Sequence, residues 1–270
     1  MSQRNVALVQ KDKAEAFRAL HGGEPFLIPN PWDAGSAKVL AGLGFQALAT
    51  TSSGFAFTLG RLDGNLTLDE VTAHVRALDQ ATELPVSVDL ENGYGPTPED
   101  AALAIRRAAE AGAVGGSIED YDPEGGIYAL DHATERVAAA AEAARTLGFP
   151  FTLTARAENQ IRGNPDLDDT IARLQAYERA GADVLYAPGL RSGEEIRAVS
   201  EATSRPISVL AHPELSMPEI VDAGGQRISV GGALAFVAAG AMAVAAAQMR
   251  DSGEFAALTA PAKVWKWLTG

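Results

Sequence analysis

Asp89 and Glu91 stand two residues apart at the end of an apolar run over residues 85–88, and the turn Asn92-Gly93-Tyr94-Gly95 follows at once. Alternate residues of a strand share a face, so both carboxylates are expected to point the same way at the strand's carboxyl end. Like charges held so close repel each other unless a proton or a cation lies between them. Other apolar runs also end in polar residues: Thr51-Ser52-Ser53-Gly54, with Arg61 and Asp63 in the loop beyond; Glu119-Asp120; Arg156, with Glu158 and Asn159 after it; and His212. Asp63, Asp89, Glu91 and Glu119 together form an oxygen-rich set suited to a hard cation. Mg2+ prefers oxygen, keeps several waters and takes only one or two protein carboxylates directly. Arg156 among them offers a planar fork for a substrate carboxylate or phosphoryl group. Each residue alone has an ordinary structural reading. Asp63 can cap the turn at Gly64, and Arg156 can be a counter-ion to Glu119 or Asp89. Their joint placement is what points to a site. His21, His74 and His132 have no partner at metal-ligand spacing and are expected at the surface. Neither a G-x-S-x-G elbow nor a P-loop is present.

These positions need elements to converge them. Strands are expected over 26–28, 47–51, 86–90, 116–119, 151–155, 184–187, 207–210 and 227–230. Helices are expected between them over 33–43, 68–80, 98–111, 134–147, 167–180 and 194–201. Gly112, Gly148 and Gly181 suit helix ends, and Asp69, Thr97 and Asp166 suit helix starts. Eight strands alternating with helices imply parallel pairing. The chain has the length of a (β/α)8 TIM barrel, whose sites lie at the carboxyl ends of the strands. A doubly wound sheet is the alternative, but no G-x-G-x-x-G follows the first strand. A single barrel domain over 1–270 is expected, with 251–270 a C-terminal helical extension. Trp265 and Trp267 there should pack on the barrel or on a neighbouring subunit.

Composition bounds the function. The chain has 270 residues and a net charge of −13, which argues against nucleic acid and anionic membrane as partners. It has no cysteine, so disulfides, thiolate metal sites and cysteine nucleophiles are excluded. Residues 1–10 lack the pattern of a signal peptide, and a cytoplasmic protein is expected. Residues 230–249 approach the length of a membrane span but are mostly alanine and glycine. They are read as a buried helix of a soluble fold.

The motifs in order resemble the isocitrate lyase/phosphoenolpyruvate mutase superfamily, over nearly the whole chain. Asp89-Leu90-Glu91-Asn92-Gly93-Tyr94-Gly95 resembles its D-x-[DE]-x-G-Y-G motif, Ile118-Glu119-Asp120 its E-D pair and Thr154-Ala155-Arg156 its A-R strand. Gly60-Arg61-Leu62-Asp63 resembles the loop bearing another metal-shell aspartate. The resemblance implies a barrel whose last helix is exchanged between subunits, in a homo-oligomer (a dimer or, commonly, a tetramer). It implies Mg2+, or Mn2+ in its place, held by Asp89, with Glu91, Asp63 and Glu119 acting partly through water. Ser53, Gly54 and Phe55 match the loop that binds the keto-acid part of the substrate; Asp89, Arg156 and, from its place at a strand end, His212 are also expected to face the substrate. Arg156, Glu119 and Tyr121 are the expected catalytic groups. The implied chemistry breaks a carbon–carbon bond next to the carbon of a small 2-keto or 2-hydroxy acid, through a metal-bound enolate. The lyases of the family carry a K-K-C-G-H loop after the fourth strand. Here that loop is Tyr121-Asp122-Pro123-Glu124-Gly125-Gly126-Ile127-Tyr128, with neither cysteine nor lysine. Hydrolysis of oxaloacetate or a phosphonate, mutase chemistry, and keto-acid binding without turnover stay open beside the lyase reading.

Overall fold

The computed structural model describes residues 3–259 and 264–268. The chain runs α1 (Gln3–Leu20), β1 (Phe26–Ile28), α2 (Ala34–Gly42), β2 (Leu48–Ala49), α3 (Ser52–Thr58), α4 (Leu68–Ala81), β3 (Val86–Asp89), α5 (Pro98–Glu110) and β4 (Gly115–Glu119). A small hairpin follows, β5 (Tyr121–Asp122) and β6 (Gly126–Ile127). Then come α6 (Leu130–Arg145), β7 (Thr152–Arg156), α7 (Leu167–Ala180), β8 (Val184–Tyr186), α8 (Gly193–Ala202), β9 (Ile207–Leu210), α9 (Met217–Asp222), β10 (Gly225–Ser229) and α10 (Ala233–Ser252). Eight strands form one parallel sheet in the order β1-β10-β9-β8-β7-β4-β3-β2. This is the expected barrel, nearly closed. At the seam between β1 and β2 the Ala49 N–H donates to the Pro29 carbonyl at 3.1 Å. The buried Asn30 side chain braces the same seam, donating to the Thr50 carbonyl at 3.0 Å and accepting from the Val230 N–H at 2.9 Å.

The helices start where local chemistry starts them. Thr67, Thr97, Ser192 and Ser216 each cap a helix and exchange hydrogen bonds with an acid three residues on, an arrangement that stabilises a helix start by about 1 kcal/mol. Alanine lines the contact between α5 and α6, with Ala101, Ala104 and Ala108 on one side and Ala133, Ala140 and Ala144 on the other, all buried. Small side chains let these two helices approach closely and press onto the sheet.

Three expectations are corrected here. The helix expected over 230–249 forms as α10, but it is not buried within the chain. Ala235 is its one buried residue, and Phe236, Val237, Met242 and Val244 are 50–68% exposed. A helix apolar on every side has no polar face to turn outward, so one barrel cannot cover it. By length and composition alone it is long and apolar enough to cross a membrane. Second, His21 and His74 are buried, not at the surface. His74 shares the inward face of α4 with Val71, Val75 and Leu78, and His21 follows Phe17 by one turn. Third, β2 ends at Ala49, because Thr51 turns to cap α3 and accepts from the Gly54 N–H. Of the extension expected over 251–270, residues 260–263, 269 and 270 lie outside the described residues. Trp267 packs over Gly42 of α2, where a Cβ would meet its indole ring, while Trp265 is 74% exposed.

Candidate active site

Strand register sets the site. β4 and β7 place Glu119 beside Arg156, β7 and β8 place Arg156 beside Tyr186, and β3 and β4 place Asp89 beside Ser117. All lie at the carboxyl ends of the strands. Two adjoining cavities of about 160 and 190 Å³ open there and share Ser52, Asp63 and Arg156. Glu91, Glu119, Tyr121 and Arg162 complete the outer one; Ser53, Asp89, Tyr186, Ser229 and Arg227 belong to the inner one.

Asp89 ends β3. Its carboxylate accepts from the N–H groups of Ser52 and Glu91 and from the Ser117 hydroxyl, all at 3.3–3.4 Å, with Arg156 Nη1 3.8 Å away. These contacts are long for hydrogen bonds, so its lone pairs are only weakly engaged. Glu91 reaches the same mouth by another route than strand alternation. It lies past the strand with φ +48°, followed by Tyr94 at φ +62°. Non-glycine residues rarely hold this conformation, and where they do the surroundings impose it. Here the Tyr94 hydroxyl donates to Glu91 Oε1 at 3.4 Å, and the Glu91 carbonyl accepts from the Glu119 N–H at 2.9 Å. Burial, together with Asp89 and Asp63, pushes the Glu91 carboxyl up to about 8.

Arg156 is clamped. Its Nε donates to Glu158, which is fully buried, and its Nη1 lies 3.3 Å from Glu119. Arg162 also donates to Glu158, at 3.0 Å, and spreads over the Tyr121 ring at 3.9 Å. The E-D pair divides its duties. Glu119 faces the cavity, whereas Asp120 is buried behind it and accepts from Arg173 Nη1 at 3.0 Å, from the Tyr177 hydroxyl and from the Glu158 N–H at 2.8 Å. Asp120 therefore positions Glu158, and Glu158 positions Arg156.

Of the residues singled out from the sequence, Asp63, Asp89, Glu91, Glu119, Arg156, Ser53 and Tyr121 meet at this mouth. Three do not line it. Gly54 is buried in α3, where a Cβ would meet Thr51, Trp32 and Ala235. Phe55 turns away and stacks on His74 at 3.9 Å between ring centroids. His212 pairs with Arg191 at 3.1 Å and with Glu214, outside both cavities. Tyr186, Arg162 and Arg227 line the cavities without having been singled out. Tyr186 and Arg227 face inward by strand alternation, but nothing in their spacing marks them. Arg227 is buried among neutral partners, donating to the hydroxyls of Ser208 and Thr154 at 3.0 Å.

Among the described residues, no three acids or histidines stand close enough to form a ready-made metal cage. A cation that keeps most of its water does not need one. The donor atoms are all hard oxygens, Asp89 is weakly engaged, and burial with Asp89 and Asp63 raises the Glu91 carboxyl even though Arg156 lies close by. That is how a site short of one cation behaves, and the residues present fit Mg2+.

A parallel eight-stranded barrel with ionisable side chains gathered at the carboxyl ends of its strands defines the class of α/β-barrel enzymes. Residues 17–250 match the phosphoenolpyruvate phosphomutase family. The chain belongs to that family, within the phosphoenolpyruvate mutase/isocitrate lyase superfamily. A solved structure from Burkholderia cenocepacia, described as a lyase/mutase, is 52% identical with a TM-score of 0.94, covering 97% of each chain. An oxaloacetate decarboxylase of Bradyrhizobium diazoefficiens is 31% identical, covering 82% of this chain and 78% of the relative. A 2-methylisocitrate lyase of Halalkalibacterium halodurans is 32% identical, covering 80% and 73%. Members of the superfamily act as lyases, hydrolases or mutases.

Proposed function

We propose that the chain is a Mg2+-dependent carbon–carbon lyase for a small 2-keto or 2-hydroxy acid, and that it decarboxylates a 2-keto dicarboxylate of the oxaloacetate type. One observation carries this reading: Asp63, Asp89, Glu91 and Glu119 line a single mouth around the clamped Arg156, and burial with the neighbouring acids raises Glu91, a repulsion that a divalent cation would relieve. Asp89 would hold the ion directly, and Glu91, Asp63 and Glu119 would hold its waters. Bound there, Mg2+ supplies Lewis-acid stabilisation for the charge that develops on a keto oxygen as the neighbouring bond breaks. Arg156, fixed by Glu119 and Glu158, offers its remaining N–H groups to a substrate carboxylate. Ser53 borders the keto-acid end. Tyr121 and Arg162, stacked together at the rim, narrow the outer opening and limit water.

Proton accounting favours decarboxylation. Cleaving a 2-hydroxy tricarboxylate needs a base to take the hydroxyl proton and an acid to protonate the departing enolate. Decarboxylation releases carbon dioxide and leaves an enolate that needs only one proton, which water supplies. The hairpin segment 121–128 holds no lysine, cysteine or histidine. The decarboxylase among the relatives points the same way. Cleavage of a 2-methylisocitrate-type substrate is the second reading, with the Tyr121 phenol at the rim as proton carrier.

The test is a product assay on oxaloacetate, 2-methylisocitrate and phosphonopyruvate, with Mg2+, Mn2+ or EDTA, for the native chain and Asp89→Ala. Pyruvate and carbon dioxide from oxaloacetate, beyond the metal-only background and lost in the variant, are expected. Acetate with oxalate would mean hydrolysis, and phosphate would mean phosphonate chemistry. No metal-dependent turnover, with thermal stabilisation by Mg2+ and oxalate, would leave a keto-acid-binding barrel. We also propose that α10 is seated on a second copy of the chain, in a helix-exchanged dimer or tetramer. Its exposed apolar side chains support this.

A further inference from the structure

A cavity of about 560 Å³ lies at the opposite end of the barrel from the mouth. It is bounded by the last turn of α1, the end of α6, the segment leading into β7, and the starts of β8 and β9. Its size is that of a small-molecule site. Its charge is unlike the rest of the chain. Arg18, Arg145 and Arg205 line it, and Asp183 is its one acid. Three guanidinium groups against Asp183, with Glu142 beside Arg145, leave the cleft positive, in a protein whose net charge is −13.

These arginines are not spent on ion pairs. Among the described residues, neither Arg18 nor Arg205 has a carboxylate within 4.0 Å, and Arg145 has only the exposed Glu142, one helical turn away at 2.9 Å. Such surface pairs are worth little. Asp183 accepts from the Leu153 N–H at 2.9 Å and feels all three guanidinium groups, with none of them within 4.0 Å. The remaining wall is apolar, built from Phe149, Phe151 and Pro206.

We propose that this basal cleft is a second binding site, for an organic phosphate monoester with a flat apolar body. A phosphate monoester carries nearly two negative charges at neutral pH, the sign that complements this cleft. Guanidinium groups bind phosphoryl oxygens through paired, geometrically fixed hydrogen bonds, and the phenylalanine and proline wall receives the body. Nothing in the cleft belongs to the mouth. His21, which lines the cleft, lies 3.4 Å from Arg227, which lines the inner mouth cavity.

The test uses adenosine 5′-monophosphate, adenosine and inorganic phosphate as probes, titrated calorimetrically into the full chain in EDTA, so that no metal recruits phosphate to the mouth. The nucleotide is expected to bind once per chain with a dissociation constant below about 1 mM, and each half alone at least roughly tenfold more weakly. The double substitution Arg18→Gln with Arg205→Gln should weaken nucleotide binding by roughly tenfold or more. Both side chains are exposed and remote from the mouth, so the melting temperature and any turnover should be unchanged. Absence of nucleotide binding at about 10 mM, equal affinity in the double variant, or displacement of the nucleotide by oxalate with Mg2+ would each overturn the proposal.

Discussion

Asp120→Ala is the most informative single change, because it strikes the support of the site while leaving the mouth's own side chains in place. Three groups lose their acceptor: the Glu158 N–H at 2.8 Å, the Tyr177 hydroxyl, and Arg173 Nη1 at 3.0 Å. Tyr177 and Glu158 are fully buried. Each orphaned buried donor costs about 1–3 kcal/mol. Arg173 keeps Asp169 at 2.9 Å, so it falls at the low end of that range. A total near 4 kcal/mol is expected, on the order of the 3–5 kcal/mol seen when a buried pair loses one member. Unfolding entropy of about 2.1 cal/mol/K per residue over this chain length gives about 0.6 kcal/mol/K, so Tm should fall by roughly 7 °C. Asp120→Asn keeps the shape and an acceptor and should lose about half as much. Asp122→Ala in the hairpin, whose carboxylate accepts from the exposed Glu124 N–H, should move Tm by less than about 1 °C. Thermal melts by circular dichroism read all three. A fall of less than about 2 °C for Asp120→Ala, or equal losses for the alanine and asparagine variants, would refute the account of Asp120 as the anchor of Glu158.

Asp89→Ala should abolish stabilisation by Mg2+ in thermal melts and lower metal-dependent turnover by roughly two to three orders of magnitude, while the metal-free Tm stays within a few degrees. Burial and Arg227 lower His21 to about 3, and burial lowers His74 to about 4. Both rings stay neutral in the fold while the unfolded chain protonates them, so their contribution is intact above pH 6.5 and is lost as pH falls from 6.5 toward 4. Through His74 alone this is worth about 3 kcal/mol at pH 4; His74→Phe should flatten the acid limb of urea-denaturation stability against pH, and an unchanged slope would count against this origin. Val237→Glu with Val244→Glu should lower the molar mass measured by light scattering without a loss of helical signal from the barrel. An unchanged mass would mean that α10 is not an interface between copies.

Strands at 26–28 and 207–210 were legible to the residue, because short apolar runs bounded by turn residues leave little choice of limits. The acids and the arginine of the mouth were legible because an ionisable residue at the end of a buried strand is conspicuous. What escaped had a physical reason. Ser53, Gly54 and Phe55 resemble a substrate-binding loop, yet the Thr51-Ser52-Ser53-Gly54 stretch is a cap that the chain follows into α3. That turn sends Phe55 away from the cavity to His74. Tyr186 and Arg227 face the barrel interior by alternation, and their types carry no signal of their own, since inward tyrosines and arginines also serve packing. The burial expected for residues 230–249 confused two questions. Composition says that a surface must be covered, and it does not say by which molecule.

The alanines of α10 carry a further implication. Side chains this small let backbones come close together, and they offer few rotamers to freeze when a contact forms. Whatever settles on this helix can do so at little entropic expense, and it can meet any of the sides that α3 leaves open with nearly the same result. Specificity in that contact must then come from the few large residues set among them, Phe236 and Met242 above all, so that two side chains per chain decide the register of an association whose strength is spread over the whole rod.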